Sequence, residues 1–172
     1  SILGDVTNPY FSVDNLVREA VLAGLRTALL SNYSPVGLVN RAQRAFRNLF
    51  RSVEDRPAYF ADGQHYVRPE DRHYMSLIAQ AMNKHLDWTL TVKGQSVPAD
   101  AKAMDLFQTG HVDGENQVKL EELARSREEA IRDYLAARGV SPERIVSRGP
   151  TVLENDARPA VRFTLDKHKD RR

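Results

Sequence analysis

The chain of 172 residues contains no cysteine, which excludes a disulfide framework, a thiolate metal site and cysteine nucleophilic catalysis together. An excess of one charge is also missing. Lys and Arg number 25 against 23 Asp and Glu, so the overall charge does not suggest a nucleic-acid binder held by phosphate contacts. The signatures GxSxG, GxxxxGK and GxGxxG do not occur, and none of the five histidines forms an HxxxH or HExxH pair, which removes the common hydrolase, nucleotide and zinc-protease patterns. What is present is a globular composition, 41% hydrophobic, sized for one medium domain or a small domain with an appendage. The chain begins at Ser1 with no signal-like segment, as expected of a mature product or of a piece of a longer chain.

Residues 1–55 differ in kind from the rest and are read as a short opening strand and a helical hairpin. Ser12 or Asp14 caps a first helix running to about Leu30, whose broad apolar face includes Leu16, Val17, Ala20, Val21, Leu25 and Leu29. Arg18, Glu19 and Arg26 interrupt it, against the uncharged stretch of roughly 18 residues that a membrane span needs. A second helix is expected from Val36 to about Ser52, with Leu38, Val39, Ala42, Ala45, Phe46, Leu49 and Phe50 on one side and Arg41, Arg44, Arg47 and Arg51 on the other. No acid lies in that interval, so the helix is amphipathic and purely cationic. The pattern favours a solvated face on a packed hairpin over a surface for anionic lipid or an acidic envelope partner.

Residues 56–172 read as one α+β domain. A short strand at Pro57 to Ala61 precedes a helix with Pro69 at its first position and Glu70 and Asp71 at its positive end. Tyr74, Leu77, Ile78, Ala81 and His85 share one face, and Asp87 to Lys93 alternates as a strand with Trp88, Leu90 and Val92 on one side. Gly94 to Glu115 is expected to be a long connection holding a helical turn between Ala99 and Phe107. Val118 to Arg138 is the clearest helix, closed by Gly139 as a left-handed cap. Glu121 with Arg125 and Glu128 with Arg132 are spaced to support it as surface pairs. Strands are expected at Arg144 to Ser147 and Ala160 to Leu165, separated by breaks at Gly149 and Pro150.

Few residues invite chemistry. His111, Asp113 and Glu115 are the best metal-like cluster, yet alternate residues in a loop are better read as polar positions ahead of a helix, so neither metal nor cofactor is expected. Asp71 and His73, two apart on a helix, do not face each other and make no dyad. Arg127 is different: it interrupts the apolar stripe of Leu120, Leu123, Ile131 and Leu135. Its guanidinium must snorkel to water or find an acid.

The run from Pro57 to Leu165 resembles the OmpA-like domain, through Phe60-Ala61-Asp62-Gly63 followed by Pro69, through Lys93-Gly94-Gln95-Ser96, and most specifically through Arg138-Gly139-Val140-Ser141-Pro142-Glu143-Arg144-Ile145. The resemblance implies a mixed sheet with two packed helices and a periplasmic, envelope-bound life. In that family an aspartate and an arginine bind the diaminopimelate of peptidoglycan. Carried over, the arginine falls on Arg127, a threonine on Ser96 and the aspartate on Val97, while Leu120, Ala124 and Glu128 replace an asparagine, a serine and an alanine. The acid is gone, with Asp100 and Asp105 as nearby substitutes.

The chain is also similar, over nearly its whole length, to the carboxy-terminal region of AsmA-like envelope proteins. There a strand like Gly4 to Val13 leads into a helix pair and a degenerate OmpA-like domain with a helix like Leu123 to Leu135. This resemblance implies a non-catalytic periplasmic interaction or structural module in a protein tied to lipid traffic between membranes or to envelope integrity. The alternative is a peptidoglycan-binding module using Arg127, Ser96 and Asp100 or Asp105. An enzyme built on the His111 loop and a nucleic-acid binder using the basic helix rank below both.

Overall fold

The computed structural model describes Leu22, Ala23, Arg26 and residues 39–106 and 113–168, with side chains from residue 47 onward in the first of these ranges. The opening strand, Arg41 and Arg44 as side chains, and most of the first expected helix therefore lie outside the described residues. Helix α1 spans Val39–Asp55, followed by β1 at Ala58–Tyr59, α2 at Pro69–Lys84, β2 at Trp88–Ser96, α3 at Pro98–Ala103 and α4 at Gly114–Ala136. A 3-10 turn at Pro142–Arg144 leads into β3 at Ile145–Ser147, β4 at Thr151–Val152 and β5 at Ala160–Lys167. No helix among the described residues is long and apolar enough to cross a membrane.

The fold is α+β with a mixed five-stranded sheet in the order β1-β5-β2-β3, and β4 also pairs with β2. Strand β5 runs antiparallel to β1 and β2, whereas β3 and β4 run parallel to β2 one after the other. The central position of β2 explains its length. Pairing with β5 continues through Gly94 and Gln95, which satisfies backbone groups where the sequence pattern alone predicts a loop. Strand β4 was not expected. It is two residues long and carries no alternation that a local pattern can show.

Leu90, Val92, Phe163 and Leu165 of the sheet, Met75, Ile78 and Met82 of α2, and Ile131 and Leu135 of α4 form one core, which Leu49 and Val53 of α1 join. Helix α1 ends at Asp55, at the foot of the α/β region. Its Phe50 ring meets Trp88 edge-on at 5.1 Å, and His85 stacks on the same indole at 4.2 Å. Arg47 and Arg51 are exposed. Pro69 occupies the first turn of α2, and Gly139 after α4 has φ +89° as a left-handed terminator. Helix α4 starts four residues before Val118, because Asp113 caps it by accepting from Asn116 N–H at 2.8 Å. The Asn116 amide in turn donates to Leu106 O at 2.9 Å.

Two cationic clamps fasten α2. Buried Asp71 pairs with Arg68 at 3.3 Å and Arg56 at 3.6 Å, while Arg144 donates to Trp88 O, Met82 O and His85 O. Tyr74 lies beneath Arg56, 4.0 Å from guanidinium to ring, and its hydroxyl donates to Arg56 O. Burial raises the Tyr74 phenol well above its ordinary value of 10.0, with Arg56 opposing the rise and Asp71 adding to it. The folded state thus holds this proton longer than the unfolded chain. Its contribution is complete below the unfolded value and is lost as pH rises through the folded one, so stability declines above about pH 10. Urea midpoints across an alkaline series should fall less steeply in Tyr74→Phe than in the parent; parallel curves would remove Tyr74 as the cause.

Candidate functional site

Ser96 ends β2, Val97 precedes α3, and Pro98 at the first helical position starts a helix of six residues that carries Asp100 at its third. The Asp100 carboxylate accepts from Val97 N–H at 2.9 Å and from Gly63 N–H at 2.8 Å. Opposite it stands Arg127 of α4. The two make a bidentate pair, Nη2 to Oδ1 at 2.6 Å and Nη1 to Oδ2 at 2.8 Å, with both side chains 0% exposed. The interruption in the apolar stripe is thus a buried arginine with an acid, not a snorkelling one.

The remaining donors of Arg127 are also spent inside the chain. Nη1 donates to Gln95 O at 2.9 Å, Nε to Gln64 O at 2.8 Å and Nη2 to Ala61 O at 3.3 Å. The five guanidinium hydrogens of this α4 residue therefore reach three other segments: the 61–64 loop, the end of β2 and α3. Phe60 lies 5.4 Å below the guanidinium carbon. An arginine fork suits such a junction because its donors are fixed in one plane. Ser96 strengthens it, its hydroxyl donating to Leu120 O at 2.6 Å.

A second junction is made by the next residue of α4. Glu128 was expected to pair with Arg132 on the surface. Instead it is buried: Oε1 accepts from Gly94 N–H at 2.7 Å and Oε2 from the Ser147 hydroxyl. The reason is the break in the parallel ladder. Val92 pairs with Ser147 of β3 and Gln95 with Thr151 of β4, and Glu128 supplies the acceptor for the amide between. Gly94 also lets the helix in, for a Cβ there would stand 2.0 Å from Ala124 O.

No family profile and no curated protein sequence matches this chain. Solved structures to which it is similar include three bacterial proteins. The OmpA-like domain of FopA1 from Francisella tularensis is 14% identical with TM-score 0.49, over 66% of this chain and 74% of that one. The peptidoglycan-associated lipoprotein of Burkholderia pseudomallei is 18% identical with TM-score 0.46, over 64% and 90%. The C-terminal domain of Helicobacter pylori MotB is 18% identical with TM-score 0.47, over 67% and 87%.

Of the four ligand-binding candidates, the structure brings together Arg127, Asp100 and Ser96 and leaves Asp105 apart. Asp105 is exposed, follows α3 and has φ +56°. His111 lies outside the described residues, Asp113 serves as a helix cap and Glu115 sits 3.8 Å from Lys119. Among the described residues no three acids or histidines are grouped as metal ligands. The sequence reading missed Glu128 and Gly94 as a coupled pair. Its only signal was a glycine directly after a strand pattern, a residue that can mark close approach of another backbone.

The arrangement can hold four segments in register. It presents neither a free guanidinium nor a free carboxylate at Arg127 and Asp100, because each is bound to the other and to backbone.

Proposed function

We propose that this chain is a non-catalytic interaction or structural module of the bacterial cell envelope that has lost ordinary peptidoglycan recognition. One observation carries the reading: all five N–H groups of Arg127 and both oxygens of Asp100 are engaged within the chain at 0% exposure. A diaminopimelate presents carboxylates and ammonium groups, so its recognition needs an arginine and an acid that are free to exchange partners. Here the pair is self-satisfied, and the 61–64 loop closes over it. Residues 56–172 form the OmpA-like unit and residues 1–55 its leading segment. The sequence resemblance supports a periplasmic place in an AsmA-like protein that serves lipid traffic or envelope integrity.

The partner surface is the cationic side of α1, where Arg41, Arg44, Arg47 and Arg51 share one helical face and Arg47 and Arg51 are exposed. Attachment to anionic lipid gains about 1 kcal/mol per basic residue near the surface. Co-sedimentation decides between the readings. The protein should stay in the supernatant with purified peptidoglycan and pellet in a salt-sensitive way with anionic vesicles, less so in Arg47→Glu with Arg51→Glu. Saturable retention on peptidoglycan would overturn the proposal and assign Arg127, Ser96 and Asp100 or Asp105 to a ligand.

A further inference from the structure

Where the parallel ladder passes from β3 to β4, Arg148, Gly149 and Pro150 leave the sheet, and a cleft of about 500 Å³ opens between them and α4. Three arginines line it, Arg125, Arg132 and Arg148. None of the ion pairs among the described residues includes any of the three. Arg132 donates through Nη2 to Ile145 O at 3.1 Å, while its Nε is buried without a hydrogen-bond partner. Two acids share the walls. Glu128 is occupied by Gly94 N–H and Ser147, which leaves Glu129 as the one exposed carboxylate.

Three arginines against two acids leave the cleft positive. We propose that this cleft binds a phosphate monoester. A monoester carries close to two negative charges and three terminal oxygens, so several guanidiniums can share it. A single carboxylate offers one charge and two oxygens on one side. The volume admits more than a bare ion, and Gly149 leaves room, since a Cβ there would meet nothing within 4 Å. The site lies on the Glu128 side of α4, beside the ladder break, and does not depend on the envelope reading above. The ester is either a soluble organic phosphate or a phosphorylated lipid headgroup.

Titration of the whole chain with glycerol phosphate, followed by calorimetry or amide chemical shifts, tests the site, with glycerol as the neutral control. Saturable binding is expected, with the shifts centred on residues 147–150 and the facing turns of α4. The double variant Arg125→Gln with Arg148→Gln, both exposed and free to change without disturbing the core, should bind about tenfold more weakly or worse. Arg162→Gln, an exposed arginine on β5, should stay within about twofold. Vesicles of phosphatidic acid in phosphatidylcholine separate the sources: attachment lost in the double variant marks a headgroup, and saturation by glycerol phosphate alone marks a soluble ester. No saturation up to about 10 mM, or equal binding by the double variant, overturns the proposal.

Discussion

Arg127→Ala should cost about 3 to 5 kcal/mol of folding stability, a large share of the roughly 5 to 15 kcal/mol that a domain possesses. The loss comes from what stays behind more than from what is removed. Asp100 would remain 0% exposed with its charge unopposed, and the carbonyls of Ala61, Gln64 and Gln95 would lose a donor each. Arg127→Lys keeps the charge but not the planar fork. Its ammonium cannot reach the 61–64 loop, the end of β2 and α3 at once, so it should recover only part of the loss. Asp100→Asn should also destabilise, because Val97 and Gly63 N–H groups lose a charged acceptor. Equilibrium urea unfolding measures all three, and the Arg127→Ala, Asp100→Asn double variant should lose less than the sum of its singles, since the two act as one unit. An Arg127→Ala protein within about 1 kcal/mol of the parent would contradict the clamp.

The other large effect is expected at a residue with no side chain. Gly94→Ala places a methyl 2.0 Å from Ala124 O, 2.8 Å from Ala124 C and 2.9 Å from the Glu128 Cγ. The first two are helix backbone and cannot rotate away. Relief needs α4 to lift from β2, which would stretch the bonds that Ser96 and Glu128 make across that contact. Overpacking ordinarily costs about 1 to 3 kcal/mol and more where backbone must move, so about 3 kcal/mol or above is expected, with poor yield of folded protein. Gly114→Ala is the matched control. It opens α4, nothing lies within 4 Å of its Cβ position, and helix propensity favours alanine by up to about 1 kcal/mol. Thermal unfolding should therefore separate the two variants in opposite directions. Gly94→Ala melting with the parent would mean that the helix can yield at this contact.

Elements whose causes are local could be read from the order of the residues. Pro69 begins α2 because its missing N–H costs nothing there, and Gly139 ends α4 because only glycine takes a left-handed φ cheaply. Trp88, Leu90 and Val92 are buried as their alternation requires, and the stripe through Leu120, Leu123, Ile131 and Leu135 is buried as its spacing requires. These signals lie within a turn or a strand of one another. The α+β class followed from their order, and the oddity of Arg127 was visible as a charge inside an apolar period.

What answers that oddity comes from residues distant in the chain. Asp100 is 27 residues from Arg127, and the carbonyls that share the guanidinium are 32 to 66 residues away. No local period relates residues so far apart. The same holds for the end of β2, which stays a strand because β5 pairs alongside it to Gln95 and β4 to Ser96, and for Glu128, turned inward by the amide that the β3 to β4 change of partner leaves open. A buried polar group takes its meaning from whichever donor or acceptor the chain brings to it, and that meeting exists only once the sheet and α4 have packed.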